Sequence, residues 1–425
     1  MRLLAGLLFA LAVSACARQP EPDLNPMAEQ FVRISLEMGA HEEGYIDAYF
    51  GPPDWKTEAE AHPRSIGELK AAVDALKRQV DLAREQARDQ TVRRRAHTLS
   101  AYLTSARARL DMMEGAREPF QDEAEHLFAL RPELVPLQHY DAVLARLETT
   151  LPGRGALADR MAAFQDRFNV PAERRDAVMR AAIAECRRRT LEHLTLPQNE
   201  RFEMEWVSGQ PWGAYNWYRG ENHSLIQINT DLPFRVSSAI GTGCHEGYPG
   251  HHVQGIYAEK LYRERGWVEY SIVPLFSPQG PLNEGGGNYG VELAFPGDER
   301  MVFERDTLFP LAGIDPALAA PYAAMREATS ELAGAARTIE AQYLDGQIDR
   351  GRAIELLQHY TVSTRERAEK SLQFADHYRS YIINYSSGED VVRAYVERAG
   401  SDPAARWAAY ERILSQPTLP RDLMQ

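Results

Sequence analysis

Apolar residues recur at three- and four-residue spacing along most of this chain, which is the period of one face of an amphipathic helix. Residues 65–85 show the pattern clearly, because Ser65 precedes the apolar run and Glu68 follows three positions later, as in a capping box. The same period predicts further helices at about 94–114, 135–149, 173–195, 253–265, 316–344, 350–382 and 388–413. The chain is therefore expected to be mostly α-helical.

The spacing of the apolar residues changes between residues 200 and 234. Three short segments there alternate in polarity or are rich in aromatic residues, and turn-forming residues separate them; the segments are 202–207, 214–218 and 224–230. Alternation broken by turns predicts a small antiparallel sheet. This sheet would stand directly before the histidine-rich segment that begins at residue 245.

The N-terminus resembles an export signal. A positively charged start precedes an apolar run, residues 3–13, that is too short to span a bilayer as a helix. The residues that follow resemble the cleavage box of bacterial lipoproteins: Val13-Ser14-Ala15-Cys16. The resemblance implies a signal peptide at 1–15, a lipid on Cys16 and a Pro-rich tether at 16–27. Ala17 after the Cys implies an exported protein anchored at the outer membrane and facing the periplasm, whereas a plain secretory signal is the alternative.

Composition limits the size and the partners. A formal net charge of −13 argues against nucleic acid as a partner. The 425 residues suffice for one large or two moderate domains, and we divide them into an N-terminal helical region at 28–199 and a second region at 200–425. Besides Cys16 the chain has Cys186 and Cys244. Whether they form a disulfide in the oxidising compartment of an exported protein stays open. Cys244 adjoins His245, so it could be an extra metal ligand or a redox-sensitive thiol, but a buried, inert side chain is the favoured interpretation.

The candidate chemistry is concentrated in one octet that holds three of the chain's 12 histidines: His245-Glu246-Gly247-Tyr248-Pro249-Gly250-His251-His252. In the metalloprotease motif His-Glu-x-x-His, both rings bind zinc and the Glu is the general base. Here Pro249 stands where the second His would be. On an unbroken helix seven residues rise about 10 Å, which is too far for two rings to share an ion. Pro249 and Gly250 can break the helix and return His251 or His252 to the metal.

Spacing alone does not decide which of the two adjacent histidines binds. The sequence favours His252, because the Val253-Gln254 pair after it is typical of a helix that resumes. Glu284 is the expected third ligand, on a facing helix, since two histidines and a carboxylate form a catalytic zinc site that keeps a position for water. The alternatives are a Pro-Gly helix end with packed histidines and a solvated Glu284 near a helix N-terminus.

These residues resemble the bacterial domain-of-unknown-function 885 family. The similarity includes the octet, Val253-Gln254, Glu284-Gly285 and, more weakly, Tyr289, Ile228-Asn229-Thr230, the residues from Arg379 to Tyr385, and Gly388. It covers about residues 200 to 400 of the chain. The resemblance implies a multi-helical, gluzincin-like zinc metallopeptidase fold, with the small antiparallel sheet beside the metal helix and the catalytic residues in the region 200–425.

Two departures from the family pattern affect the pocket. Gly286 replaces a Trp, and Val291 replaces an acidic residue, with Glu292 one position late. The three glycines at 285–287 would also weaken a helix start. The ligand assignment is unaffected, but the pocket beside it must differ, so a substrate preference does not carry over.

The main hypothesis is a zinc-dependent peptidase acting on a peptide or a small amide. Glu246 would take a proton from the attacking water and pass it to the leaving nitrogen. Tyr385 is the first candidate donor to the oxyanion and Tyr289 the second. Arg379 would bind a substrate carboxylate through a bidentate fork, or would form a structural ion pair.

Two other functions stay open. One is a zinc hydrolase for a non-peptide amide, such as a cell-wall fragment, which would use the same site chemistry. The other is a catalytically inactive, lipid-anchored binding protein, which the changes at Gly286 and Val291 would explain. An edge strand of the sheet beside the metal could pair with a substrate backbone, or could only support the site.

Overall fold

The structure, a computed structural model, describes residues 20–151, 153–210 and 212–425. Most of these residues are helical, and short strands form two small sheets. The expectation of a mostly α-helical fold with a small sheet is confirmed. The predicted signal peptide at 1–15 and Cys16 lie outside the described residues.

The helices are, in chain order, α1 (Asn25–His41), α2 (Pro53–Ala61), α3 (Ile66–Gln86), α4 (Gln90–Met113), α5 (Phe120–Phe128), α6 (Asp141–Thr150), α7 (Leu157–Asp166), α8 (Arg175–Leu191), α9 (Val236–Thr242), α10 (His251–Arg265), α11 (Gly280–Ala294), α12 (Glu299–Phe303), α13 (Phe309–Ala312), α14 (Ala319–Ser330), α15 (Ala333–Leu344), α16 (Arg350–Tyr360), α17 (Arg365–Tyr378), α18 (Ile383–Glu397) and α19 (Pro403–Ser415). The strands are β1 (Ile46–Tyr49), β2 (Arg201–Val207), β3 (Ala214–Tyr218), β4 (His223–Asn229) and β5 (Ile272–Pro274). Two π-helical turns span Gly243–Gly247 and Glu304–Leu308, and 3₁₀ turns span Leu137–Tyr140, Ala172–Arg174, Val268–Ser271, Pro316–Leu318, Arg379–Ile382 and Pro420–Met424.

The predicted helices are present, but three of the long ones are divided. Ser65 caps α3 as predicted, since its hydroxyl accepts from the Glu68 N–H while its own N–H donates to the Glu68 carboxylate. The segment 350–382 divides into α16 and α17, because Thr364 caps a new helix start. Asp402 does the same for α19. The apolar period continues across such breaks, so periodicity alone does not reveal them.

The predicted tether at 16–27 extends too far along the chain. α1 already begins at Asn25, and Pro26 lies in its first turn, where the missing N–H breaks no helical hydrogen bond. Leu24 before it is 2% exposed and belongs to the hydrophobic core. The folded part of the chain therefore includes the last residues that the sequence assigned to the tether.

The sheet before the octet is mixed, which corrects the antiparallel prediction. Its strand order is β2-β4-β3, with β2 parallel to β4 and β3 antiparallel to β4. β4 is the most buried of the three strands and takes the centre. The connection between β2 and β3 is long enough for β4 to lie between these two strands. β2 and β3 are therefore the two edge strands, and β3 lies against α10.

The second sheet pairs β1 with β5 in antiparallel orientation and was not predicted from the sequence. Strands of three or four residues are too short for alternation to be recognised. The register shifts between Ile46 and Ala48, so Asp47 lies at a β-bulge. Bulges redirect a side chain relative to the regular pleat.

Two large hydrophobic cores hold the described chain together. One combines α6 and α8 with β4, α10, α11, α18 and α19, and the other combines α1, α3, α4 and α5 with β5. Residues on both sides of position 199 share the first core. The division into regions 28–199 and 200–425 stays a prediction. No helix in the described ranges is both long and apolar enough to cross a membrane.

Cys186 and Cys244 form a disulfide, a pairing that the sequence left open. Their Cα atoms are 5.5 Å apart because α8 packs against the π-helical turn that contains Cys244. The bond therefore fastens α8 to the residue that directly precedes His245.

α11 and α18 approach each other through glycines. A Cβ on Gly285 would overlap the backbone of Gly388, and a Cβ on Gly388 would overlap the backbone of Pro281. The glycines expected to weaken a helix start lie inside α11. Close packing against α18 offsets their low helix propensity.

We expect Gly285→Ala to destabilise the fold by about 1–3 kcal/mol or more, because the added methyl forces the two backbones apart. Gly67→Ala on α3 is the matched control, since its Cβ would meet nothing within 4 Å. That change should be neutral or stabilise by up to about 1 kcal/mol. Urea unfolding measures both variants, and equal stability of the two would contradict the account of the α11–α18 contact.

Candidate metal centre

A break in the helix brings His245 and His251 together. α9 runs into the π-helical turn Gly243–Gly247, which carries His245, and α10 begins again at His251. Between them the Gly250 N–H donates to a carbonyl of that turn at 3.0 Å, so the chain folds back on itself. The two imidazole rings consequently lie 4.6 Å apart between centroids.

Glu284 completes the cluster from α11, the facing helix. Its Oε2 lies 3.2 Å from His245 Nε2 and 3.7 Å from His251 Nε2. The candidate ligand atoms of these three residues all lie within 4.8 Å of one another. Ligands at about 2.0–2.2 Å from one zinc ion are themselves separated by distances of this order, so the three residues fit such an ion.

Both rings turn the same nitrogen toward the cluster. His245 Nδ1 lies 3.0 Å from Asn288 Oδ1, and His251 Nδ1 lies 2.8 Å from Gln254 Oε1. Because an amide oxygen can only accept, each Nδ1 carries a hydrogen, and each Nε2 faces Glu284. Once an Nε2 has lost its own proton, its lone pair is available to a metal ion. This is the arrangement of metal-binding histidines, whose second nitrogen donates to a fixed acceptor.

The backbone fixes the two amides in turn. Asn288 Nδ2 donates to the Tyr385 carbonyl and Gln254 Nε2 donates to the Asn283 carbonyl, both at 2.9 Å. The amide oxygens therefore face the histidines. Glu284 is held on its other oxygen, where the Tyr381 hydroxyl donates to Oε1 at 2.9 Å. No role was predicted from the sequence for Tyr381, Gln254 or Asn288, although Tyr381 and Gln254 lie inside segments that resemble the family.

Without a metal, the cluster is an ion pair of His251 and Glu284. Burial opposes the charge of Glu284, but hydrogen bonds from His245 and His251 outweigh it and hold the pKa of Glu284 well below its usual range. Burial likewise opposes the charge of His251, but the bond to Glu284 raises the pKa of His251 to about 10. A metal ion must displace the proton on His251, so it should bind more tightly as the pH rises.

His252 lies outside the cluster, so the preference for it as a ligand was wrong. It is completely buried, with Nδ1 2.8 Å from Ser224 Oγ and Nε2 3.1 Å from Glu200 Oε2. Adjacent residues of a helix point about 100° apart, so only one of the two histidines can face Glu284. His252 instead attaches α10 to β4.

Glu246 lies beside the cluster with one oxygen free. The residue is 7% exposed, and its Oε2 has no hydrogen-bond partner among the described residues. Burial raises the pKa of this carboxyl. Asn216 on β3 donates to the Glu246 carbonyl at 2.6 Å and so holds the turn in place. A buried carboxylate with an open acceptor is suited to take a proton from a bound water.

The two tyrosine candidates differ in position. Tyr385 lines the same cavity as the cluster, and burial raises its pKa well above the usual value, so the phenol stays protonated and able to donate. Tyr289 is 2% exposed, packs in the core beneath the Arg393 guanidinium, and does not line the cavity. It lies five positions after Glu284, which places it about 140° around α11. The prediction of Tyr289 as an oxyanion donor is therefore wrong.

Arg379 also lies away from the cavity. Its Nε donates to the buried Glu123 carboxylate at 2.7 Å, so the structural ion pair is the correct alternative. Within the described ranges, no arginine or lysine lines the cavity. The proposed recognition of a substrate carboxylate by Arg379 is therefore wrong.

The cluster opens into a cavity of about 500 Å³. Aromatic side chains dominate its wall, and the acidic side chains that line it are Asp47, Glu246, Glu269 and Glu284. Asp47 was not found from the sequence, because a single acid in a four-residue strand carries no motif. A cavity of this size, largely apolar and with a few polar groups, is typical of a small-molecule or peptide site.

Comparison with known proteins adds information on the fold alone. No family model matches the chain, and no curated protein matches its sequence. A crystal structure of a candidate lipoprotein from Colwellia psychrerythraea is similar, with a TM-score of 0.54 at 14% identity over 85% of this chain and 68% of that protein. An M32 carboxypeptidase from Deinococcus radiodurans R1 aligns with a TM-score of 0.45 at 14% identity over 95% of both chains. This chain therefore shares its helical fold with the Colwellia protein, and its chemistry has to be argued from its own residues.

Proposed function

We propose that this protein is a zinc-dependent peptidase. His245, His251 and Glu284 would hold the metal, and Glu246 would be the general base. The observation that carries the proposal is the cluster itself: three ligand groups within 4.8 Å of one another, beside a buried carboxylate oxygen without a partner. Two histidines, one carboxylate and a free position form the ligand set of catalytic rather than structural zinc sites.

The chemistry is divided between the metal and the chain. Zinc, when bound, supplies a positive charge that polarises the reacting water and the amide carbonyl. Glu246, which lines the cavity, accepts the proton of the water on its carboxylate and delivers it to the leaving nitrogen. The Tyr385 hydroxyl donates to the oxygen that becomes negative in the transition state. Tyr381 keeps Glu284 oriented through its hydrogen bond to Oε1.

The edge strand β3 supports an extended substrate. It ends the sheet on the side of the cavity, and Ala214, Tyr215 and Asn216 line that cavity. Asn216 Oδ1 is buried and has no partner within the described ranges, and Asn216 Nδ2 donates to the Glu246 carbonyl. We propose that a peptide backbone pairs with this edge. The alternative is that β3 only supports the site and does not contact the substrate.

Family and location belong to the same proposal. Membership of the domain-of-unknown-function 885 family rests on the octet and on Glu284-Gly285. A lipid anchor on Cys16, at the outer membrane and facing the periplasm, rests on the residues Val13-Ser14-Ala15-Cys16. A peptidase so anchored would meet peptide substrates in the periplasm.

The two adjacent histidines should differ in metal binding. We expect about one zinc ion per chain in the parent protein and in His252→Ala, and none in His251→Ala, because only His251 faces Glu284. Elemental analysis gives the metal content, and circular dichroism shows whether each variant folds. Competition with a chelator should show weaker binding as the pH falls, by up to about tenfold per pH unit, since one proton on His251 is displaced. Retained zinc in a folded His251→Ala would contradict this assignment.

Glu246→Gln should abolish turnover and keep the metal. The amide is nearly the same size but cannot accept the proton, so kcat for short synthetic peptides should fall by about 10²–10⁴-fold. Glu264→Gln, at an exposed position on α10, is the matched control and should keep parental activity. Unchanged peptide hydrolysis in zinc-loaded Glu246→Gln would rule out Glu246 as the base, and a zinc-loaded parent that hydrolyses no peptide would refute the peptidase proposal.

A further inference from the structure

The cavity wall contains acidic side chains but neither arginine nor lysine among the described residues. Four carboxylates line it, from Asp47, Glu246, Glu269 and Glu284. Glu269 is neutralised from behind the wall by Arg95, which donates to both of its oxygens at 2.6 and 2.8 Å. Glu246 and Glu284 have roles in the proposed reaction. Asp47 is the acid that neither the fold nor that reaction uses.

Asp47 has a hydroxyl partner but no cation. The Tyr215 hydroxyl donates to Asp47 Oδ1, and no ion pair to Asp47 occurs within the described ranges. The Tyr215 bond leaves the other carboxylate oxygen, Oδ2, available as an acceptor. Removing a carboxylate from water without pairing its charge is unfavourable, so Asp47 is suited to a cation that arrives from outside.

The backbone directs this side chain into the cavity. Asp47 occupies the β-bulge between Ile46 and Ala48, where the pairing with β5 shifts register. Its carboxylate is close enough to the cluster to interact electrostatically with His251, Glu284 and Glu246. A group bound at Asp47 would therefore lie near the reacting amide.

The surroundings of Asp47 suit a protonated amine. Tyr215 on β3 lies 5.7 Å from Trp212 between ring centroids, and both rings line the cavity. Aromatic faces attract ammonium groups, and a carboxylate among them binds such a group more strongly than it does in water. A zinc ion at the cluster would be held by His245, His251 and Glu284, and Asp47 is not part of that group.

We propose that Asp47, held by Tyr215, binds a primary ammonium group of the substrate beside the amide that is cut. The inference rests on the proposed peptidase function and narrows its substrate class. The ammonium group would be the N-terminal amine of a peptide or the side chain of a lysine. An enzyme of this kind would select peptides by a positive charge, and it would be indifferent to a C-terminal carboxylate.

Binding measured without turnover tests this directly. The protein is the full chain carrying Glu246→Gln, loaded with zinc, and the probes are tri-alanine, its amide, N-acetyl-tri-alanine, and N-acetyl-Lys-Ala-Ala. Titration calorimetry gives each Kd. We expect acetylation of tri-alanine to raise Kd by at least about tenfold, because it removes a charged hydrogen bond to the partly buried Asp47. Amidation should change Kd by less than about threefold, since no cation of the cavity meets the C-terminus.

Asp47→Asn, added to the same background, should reduce the acetylation effect to less than about threefold, since its amide keeps the shape but not the charge. Asp54→Asn, the same change at an exposed position on α2, is the matched control and should keep the full effect. If N-acetyl-Lys-Ala-Ala binds as well as tri-alanine, the lysine side chain also serves as the cation. If tri-alanine and its amide bind tightly but N-acetyl-Lys-Ala-Ala does not, the N-terminal amine is the group recognised.

Equal binding of tri-alanine and N-acetyl-tri-alanine, or no binding of any probe, would overturn the inference. An acetylation effect that persists in Asp47→Asn would place the amine elsewhere and would also overturn it. Failure of the peptidase proposal would look different. In that case the parent with Glu246 intact would hydrolyse none of the peptides, whether or not Asp47 governs their binding.

Discussion

The tight turn at Gly250 is the constraint on which the site depends. A Cβ at this position would overlap the His245 carbonyl, so only glycine lets the chain fold back far enough for His251 to reach His245. The facing helix α11 also approaches His245 closely, because a Cβ on Gly287 would lie only 2.7 Å from the His245 ring. Glycines on both sides of His245 therefore bring α10 and α11 close enough for three side chains to meet.

Much of the site could be predicted because it lies in one short segment. The octet contains three candidate ligands, the candidate base and the Pro-Gly break, and local chain geometry determines how these are arranged. The choice of His251 over His252 could not be predicted, since it depends on Ser224 and Glu200, which take up the His252 ring from β4 and from the segment before β2. Tyr289 could have been excluded from its position around α11 alone.

The rest of the cavity depends on contacts between distant parts of the chain. Asp47 faces the cluster from a four-residue strand that pairs with β5 more than 200 positions later in the sequence, and no local pattern marks it. Tyr381 reaches Glu284 from the turn before α18. The mixed order of the first sheet follows from burial of β4 at its centre. In each case tertiary packing, rather than local preference, decides the position of the residue.

A crystal structure recorded on both sides of the zinc absorption edge tests the central claim most directly. The account predicts one anomalous peak among His245 Nε2, His251 Nε2 and Glu284, at about 2.0–2.2 Å from each ligand atom, with Glu246 beside it and His252 still bound to Ser224. A peak ligated by His252, or no peak at this cluster in zinc-soaked crystals, would contradict the account.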